Sequence, residues 1–304
     1  MSEKKYLSNR HEILFLYDVS MANPNGDPMD ENKPRYDEET GRIFVTDVRI
    51  KRTIRDTLKE MGKEVFVIEE RKEDGNLKTK EEKEKSAGGR EGVLEKYVDI
   101  RLFGGTFALK GEEKASWSVT GPVQFSYGQS LHRVKVIPVK GTTVMPSQEG
   151  KMQGTMWERY IVAYALIGVY GIANQMVAKD TLMTEEDFED MLKALWCGHL
   201  GGSVLLTTSK LGHMPRLLID IVHKEGSLHR IGNLDRYIKL ISNKSDEEIR
   251  DPKDYKLNME DLARRIEKFK DKIQKVRYLV DEELHIEPDI KQVFKDLQIE
   301  EWKF

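Results

Sequence analysis

The first strong pattern along the chain is a short apolar run, Ile13-Leu14-Phe15-Leu16-Tyr17, followed by the turn-rich segment Asn23-Pro24-Asn25-Gly26-Asp27-Pro28. A short apolar run that is ended by turn residues is typical of a buried strand, and we predict one over residues 12–18. Proline removes backbone donors and glycine reaches positive φ. Residues 19–45 are therefore predicted to form a polar loop of fixed shape at the end of that strand.

The second pattern has the period of a helix. Apolar side chains recur every three or four residues between Thr46 and Gly62, namely at Ile50, Ile54, Leu58 and Met61. Thr46 suits the N-cap and Gly62 the C-terminal stop, so we predict a helix over residues 47–61. The face away from the apolar stripe carries Lys51, Arg52 and Arg55.

Further segments follow the same rules. Strands are predicted where β-branched and aromatic residues cluster, and helices where apolar positions and acidic first turns agree. The predicted strands are 64–69, 117–127, 159–173 (where a helix is also compatible with the pattern) and 216–223, and the predicted helices are 93–103, 184–197 and a charged stretch over 258–300. Residues 131–156 alternate and contain Pro138 and Pro146, which indicates an extended hairpin with a flexible end.

The order of these elements, β-α-β…β…α-β, predicts an α+β fold, specifically a ferredoxin-like (RRM-like) sheet with large insertions. We expect one RRM-like domain over 1–304 with insertions. They are a loop at 19–45, a mobile charged insertion at 70–92, an extended hairpin at 131–156 and a C-terminal helical region at 250–304. The insertion at 70–92 is assigned from its mixed charges and low apolar content.

Charge is distributed unevenly although the formal net charge is only −3. Residues 114–148 and 191–219 contain no Asp or Glu, while both stretches contain Lys and Arg. Local clustering of cations, rather than net charge, is the footprint of a polyanion site. The sequence is therefore compatible with a nucleic-acid-binding surface.

Other functional classes are less compatible with the sequence. Cys197 is the only cysteine, which excludes an internal disulfide and a multi-cysteine zinc site. The chain opens without a secretory leader and has no apolar stretch of about 18 residues. We therefore predict a cytoplasmic protein without a membrane-spanning segment. The sequence also has no His-Glu-x-x-His, Walker A or Gly-x-Ser-x-Gly pattern, so no metal, cofactor or catalytic motif is predicted.

Three segments are candidates for binding phosphates, each with a plainer alternative. The cations Lys51, Arg52 and Arg55 suit a phosphate backbone, although basic helix faces are often only solvated. The loop Thr207-Thr208-Ser209-Lys210 offers hydroxyls, backbone donors and one ammonium, or is an ordinary loop. Segment 131–156 presents basic residues around the apolar pair Val144-Met145, which suits a wedge between bases, or is a hairpin packed on its own domain. The basic residues of that segment are Arg133, Lys135, Lys140 and Lys151.

Several motifs occur together in one order. They are Asn23-Pro24-Asn25-Gly26-Asp27-Pro28, the segment Val45-Thr46-Asp47-Val48-Arg49-Ile50-Lys51-Arg52-Thr53-Ile54-Arg55, Val98-Asp99-Ile100-Arg101-Leu102-Phe103-Gly104, and Gly121-Pro122-Val123-Gln124-Phe125. Jointly they resemble the backbone subunit of type I CRISPR Cascade, a RAMP-superfamily RNA-binding protein, most like its subtype I-B form and next the subtype I-C form. The resemblance covers nearly the whole chain, and it implies a modified ferredoxin-like/RRM-like palm with inserted fingers and a thumb hairpin, which falls at 131–156.

The resemblance implies a non-catalytic subunit that polymerises head to tail along a CRISPR RNA and forms the backbone of a DNA-targeting complex in antiviral defence. The implied partners are CRISPR RNA, target DNA paired to the guide, further copies of the chain and other Cascade subunits. Val144 and Met145 are the implied thumb wedge. The residues implied to bind RNA are Asn23, Asn25, Gly26, Lys51, Arg52, Arg55, Gln124, Arg133, Thr207, Ser209 and Lys210.

Two alternatives remain open from the sequence. Type III relatives of this family cut target RNA with an Asp in the loop after the first strand, so Asp27 or Asp30 would make the chain a metal-dependent endonuclease. Both aspartates equally suit turn formation. The second alternative is a protein-interaction domain whose basic patches do not bind nucleic acid.

Overall fold

The computed structural model of the chain describes residues 5–107, 116–143, 156–201 and 206–303. Its strands are β1 His11–Ala22, β2 Gly26–Asp27, β3 Lys33–Pro34, β4 Tyr36–Asp37, β5 Arg42–Val45, β6 Gly104–Phe107, β7 Trp117–Thr120, β8 Val123–Phe125, β9 Gly128–Ser130, β10 Val136–Thr142, β11 Met156–Ala173, β12 His213–His223, β13 Lys239–Ile241, β14 Lys256–Asn258, β15 Ile273–Val280, β16 Ile286–Glu287 and β17 Ile299–Glu301. Its α-helices are α1 Asp47–Glu60, α2 Lys80–Ala87, α3 Gly89–Lys96, α4 Val98–Phe103, α5 Gln175–Thr181, α6 Glu185–Gly201, α7 Glu260–Glu267 and α8 Ile290–Val293.

A large central sheet organises the molecule, with strand order β17-β15-β12-β1-β11-β9-β5-β4. Strand β1 lies antiparallel between β11 and β12, so Leu16 faces Gly168 on one side and Leu217 on the other. Strands β8 and β10 also pair with β11. The predicted strands at 12–18, 159–173 and 216–223 are confirmed, and they form the centre of this sheet.

Both faces of β1 are buried, which explains its uninterrupted apolar run. Phe15 and Tyr17 belong to a core that includes Ile50 and Ile54 of α1 and Leu192 of α6. The alternate positions Leu14 and Leu16 belong to a second core, formed mainly with the C-terminal part of the chain. Successive side chains of a strand point to opposite faces, so one strand serves two cores.

Helix α1 confirms the predicted helix at 47–61. Thr46 is its N-cap, with the hydroxyl accepting a hydrogen bond from the Arg49 N–H at 3.3 Å. The predicted apolar stripe is buried against the sheet at Ile50, Ile54 and Leu58. The predicted helix at 184–197 is likewise confirmed as α6, and the Thr184 hydroxyl accepts from the Asp187 N–H at 3.1 Å.

The strand predicted at 64–69 is wrong. The N–H groups of Phe66 and Val67 donate to the buried carboxylate of Asp99 at 2.7 and 3.1 Å, so a side chain takes the donors that a strand ladder needs. The strand predicted at 117–127 is divided into β7 and β8 by Gly121-Pro122, because Gly121 packs directly on the backbone of Phe103. The helix predicted at 93–103 is present as α3 and α4, with a break at Tyr97.

The region predicted as helical over 250–304 is only partly so, because it contains α7 and α8 but also β14 to β17. Helix α7 is followed by β15, which pairs antiparallel with β12 in the central sheet. The charged pattern concealed this strand because Arg277 is buried, with its guanidinium on Asp220 at 2.6 Å and also bonded to Glu189. From the sequence alone, a cation that is buried in an ion pair cannot be told apart from a cation on the solvated face of a helix.

The segments that we predicted as insertions contain regular elements. The segment predicted as a loop at 19–45 begins with the last four residues of β1 and contains β2 to β5. The charged segment at 70–92 contains α2 and part of α3, with Lys83 donating to the Phe66 carbonyl oxygen at 2.7 Å. The hairpin at 131–156 has β10 as one arm, and its other arm is the start of β11, from Met156 to Val162. The proposed wedge, Val144 and Met145, lies outside the described residues.

Candidate nucleic-acid interface

The turn-rich loop after β1 is tied to two other segments. The Asn23 N–H donates to the Ser209 carbonyl oxygen at 2.8 Å. The Asn25 side-chain oxygen accepts from the N–H and hydroxyl of Thr46, at 2.9 and 3.0 Å. The loop therefore joins the 207–210 loop to the N-terminus of α1, as expected from its position at the strand end.

Asn23 and Gly26 maintain the shape of this loop. The Asn23 amide nitrogen donates to the backbone oxygen of Asn32 at 2.7 Å. A Cβ on Gly26 would lie 2.8 Å from that same oxygen. Only glycine leaves room for the close approach of the two backbone segments.

Lys210 fastens the two loops together. Its ammonium donates to the carbonyl oxygen of Pro24 at 3.0 Å and also to that of Asn23. Burial and the nearby Arg49 lower the pKa of Lys210 to about 7. Thr207 and Ser209 place their hydroxyl oxygens 3.3 Å apart at the same loop.

Arg49 is a functional candidate that sequence reasoning missed. Its Nη2 atom is buried and has no hydrogen-bond partner among the described residues. Its charge contributes to lowering the pKa values of Lys210, His213 and His199, the last to about 4. Arg49 lies about 100° around α1 from Ile50 and outside the apolar stripe, so no local sequence signal marks it.

The cations on the predicted basic face of α1 make hydrogen bonds within the protein and are not freely solvated. Lys51 donates to Asp47 at 3.0 Å and to the side-chain oxygen of Gln124 at 3.2 Å. Arg55 donates to the buried Asp99 at 2.9 Å. Both cations lie over the ring of Phe103, at 5.6 and 5.1 Å from its centre. The structure thus brings Lys51, Arg55 and Gln124 together.

Arg52 and Arg133 lie apart from that group. The Arg52 guanidinium pairs with Asp56, one turn along α1, at 2.7 Å. Arg133 packs its side chain against Gly41, and its N–H donates to the Asp246 carboxylate at 2.8 Å. Arg133 is therefore placed beside the loop at 246, and its neighbours Val134 and Lys135 border a different cavity from the one at Lys210.

A cavity of about 730 Å³ lies between the two loops and the base of the hairpin. It is lined by Asn23, Gly26 and Thr207 to Lys210 on one side, and by Val139 and Trp157 to Ile161 on the other. Three segments that are distant in sequence therefore meet around one space. Hydroxyls, an ammonium, a guanidinium and an indole line it, which is a set suited to single-stranded RNA.

Asp27 and Asp30 border a second cavity, of about 540 Å³, beyond the hairpin base. Asp27 pairs with Arg35 at 2.9 Å and Asp30 with Lys33 at 2.6 Å. Within the described ranges, no group of three or more His, Cys, Asp or Glu residues is placed to hold a metal ion. Each aspartate is thus neutralised by its own cation.

Comparison with known proteins agrees with this geometry. Residues 9–260 match the family described as CRISPR-associated protein Cas7. The chain belongs to the Cas7 family. A relative named CRISPR-associated protein Cas7 from Haloferax volcanii is 28% identical, covering 92% of this chain and 89% of the relative.

Two solved structures share the fold of this chain. A chain of a "CRISPR RNA-guided surveillance complex, pre-nicking" matches with a TM-score of 0.58 at 13% identity, over 97% of this chain and 96% of that one. A chain of a "CRISPR RNA-guided surveillance complex" matches with a TM-score of 0.56 at 14% identity, over 97% and 95%. The mixed α+β fold with a large central sheet is confirmed. Across the described ranges, no helix has both the length and the apolar content to cross a membrane.

Proposed function

We propose that this Cas7-family chain is a non-catalytic subunit that binds CRISPR RNA and polymerises along it. Its copies form the backbone of a type I Cascade complex, nearest to subtype I-B and next to I-C, that recognises target DNA in antiviral defence. The other Cascade subunits and the target DNA paired to the guide are its further partners, and the cytoplasm is its compartment.

The observation that carries the proposal is the meeting of the 23–26 loop, the 207–210 loop and the hairpin base around one cavity. Phosphates are held without regard to sequence by cations, hydroxyls and backbone donors. A subunit that must hold any guide needs contacts of this kind. Repetition along one RNA then multiplies modest contacts into high avidity.

We also propose that the central sheet is a ferredoxin-like palm. Strand β1 lies between β12 and β11, β8 and β9 pair with the far side of β11, and all these pairs are antiparallel. Helices α1 and α6, which follow β1 and β11 in the chain, contribute to the same core. This order supports a ferredoxin-like palm, with the β10–β11 hairpin as its thumb.

The endonuclease alternative has less support than RNA holding. A metal-dependent cleavage site needs carboxylates that share an ion, whereas Asp27 and Asp30 each pair with a cation. RNA binding distinguishes our proposal from the alternative of a protein-interaction domain, whose basic patches would not bind nucleic acid.

Filter binding of the purified chain to an unstructured single-stranded RNA tests the proposal. We expect salt-dependent binding of unrelated sequences with similar affinity. Lys51→Ala should lower the log–log salt slope by about 0.7 for one lost phosphate contact. Lys59→Ala, at the exposed far end of α1, is the matched control. Failure of the wild-type chain to bind any RNA would contradict the proposal.

A further inference from the structure

Trp157 has an unusual setting at the base of the hairpin. It lies opposite Gly141 in the β10–β11 register. A Cβ built on Gly141 would lie 2.6 Å from the Cε2 atom of the Trp157 ring. The indole ring, which belongs to the neighbouring strand, therefore occupies the space that a side chain at position 141 would fill.

The Trp157 side chain is only partly covered. Trp157 is 38% exposed and lines the cavity that also contains the 207–210 loop. Arg159 is two residues further along β11, on the same face of the hairpin, with its guanidinium carbon 5.2 Å from the centre of a Trp157 ring. The guanidinium thus lies over the indole, and the two side chains together present an aromatic, positively charged surface to the cavity.

The charges around this surface favour an anionic occupant. Of the two acidic residues that line the cavity, Glu158 pairs with Lys140 at 3.5 Å, and Glu31 lies 3.8 Å from Lys33, which Asp30 also binds. Lys210 bonds backbone carbonyl oxygens and has no carboxylate partner among the described residues. Thr207 and Ser209 add hydroxyl groups that suit phosphate oxygens.

We infer that Trp157 is a stacking platform for one base of single-stranded RNA and that Gly141 is the residue that positions it. The inference deepens the proposed function, on which it rests, by naming a base contact beside the phosphate contacts. Stacking on an aromatic ring tolerates any base, because each base has a π face. The platform therefore holds a guide nucleotide without reading its identity.

Gly141 makes the inference specific. It lies in a strand with ordinary extended backbone, so alanine is compatible with its backbone but not with the present position of the ring. Gly141→Ala should displace the indole from its present position, while every side chain that faces the RNA is still present in the protein. A loss of RNA affinity in this variant would thus report the orientation of the ring.

The test uses the purified full-length chain with two probes of equal length, an oligoadenosine and an abasic ribose–phosphate oligomer. We expect Trp157→Ala to weaken oligoadenosine binding by about 5- to 100-fold, the usual range for one stacked base, and Gly141→Ala to weaken it by a smaller factor. Trp157→Phe should restore most of the affinity. Binding of the abasic probe should stay within about twofold in all variants, since its phosphates need no ring.

The outcomes separate this inference from the proposed function. If the wild-type chain binds neither probe, the proposed function fails. If it binds oligoadenosine and Trp157→Ala binds equally well, the platform is wrong while RNA binding stands. If Trp157→Ala loses the abasic probe to the same extent, its role is structural and the platform is again wrong. Should Gly141→Ala fail to fold, the comparison of Trp157→Ala with Trp157→Phe decides alone.

Discussion

The ammonium of Lys210 donates a hydrogen bond to the backbone carbonyl oxygen of Pro24 at 3.0 Å, joining two loops that are 186 residues apart in the chain. Burial and Arg49 lower the pKa of this ammonium to about 7. An RNA phosphate beside Lys210 would favour the charged form and raise that pKa. RNA binding should therefore take up a proton above neutral pH.

The first prediction concerns this proton. RNA affinity should be constant below about pH 7 and fall by up to tenfold per pH unit above it, until the pKa of the bound state is reached. Lys210→Arg keeps its charge throughout this range and should remove the dependence. Fluorescence anisotropy with labelled RNA between pH 6 and 9 measures it. A wild-type curve that is flat, or an equal slope in Lys210→Arg, would contradict the prediction.

The second prediction separates two cations of the α1 face. Arg55→Ala leaves the buried carboxylate of Asp99 with backbone donors alone, and it should lower the free energy of unfolding by about 3 kcal/mol. Lys51→Ala removes a more accessible pair with Asp47 and should cost less than about 1 kcal/mol. Urea denaturation of both variants tests this. Equal losses of unfolding free energy in the two variants would show that the Arg55–Asp99 pair stabilises the fold no more than the Lys51–Asp47 pair does.

The third prediction concerns the junction at Thr46. Its hydroxyl caps α1 through the Arg49 N–H and bonds Asn25 in the loop. Thr46→Ala should lower the free energy of unfolding by about 1–2 kcal/mol, as loss of an N-cap does. Thr46→Ser keeps the hydroxyl and serves as the control. Thermal denaturation that ranks Thr46→Ser with Thr46→Ala would show that the lost methyl group, rather than the cap, is responsible.

The fourth prediction concerns catalysis. Because Asp27 and Asp30 are each paired with a cation, the chain should not cleave labelled RNA in the presence of Mg²⁺. Asp27→Asn and Asp30→Asn should give the same gel pattern as the wild type. Cleavage by the wild-type chain that disappears in either variant would establish the endonuclease alternative instead.

Much of the central fold was predictable, because β1, α1, β11, α6 and β12 follow simple periodic patterns with caps and turn residues. Strand β15 was not, since Arg277 is buried against Asp220 through an ion pair that no local pattern reveals. The missing strand at 64–69 has a similar cause, because the Asp99 carboxylate that takes its donors is about thirty residues away in sequence.

The site was predictable in its loops and less so in its side chains. The proximity of Asn23 to Ser209 follows from the ends of adjacent strands. Arg49 was missed because it lies outside the apolar stripe of α1, and Trp157 because it falls between the predicted hairpin at 131–156 and the predicted strand at 159–173. The roles of Val144 and Met145 stay predictions from the resemblance.

The central claim, that the chain assembles on a guide RNA, is tested most directly by co-expressing it with its genomic neighbours and a CRISPR array. The purified material is then measured for its 260/280 nm absorbance ratio, its mass and the sequence of any bound RNA. We predict a large complex that contains RNA of uniform length with repeat-derived ends. A nucleic-acid-free monomer, both from this preparation and from the chain expressed alone, would contradict the account.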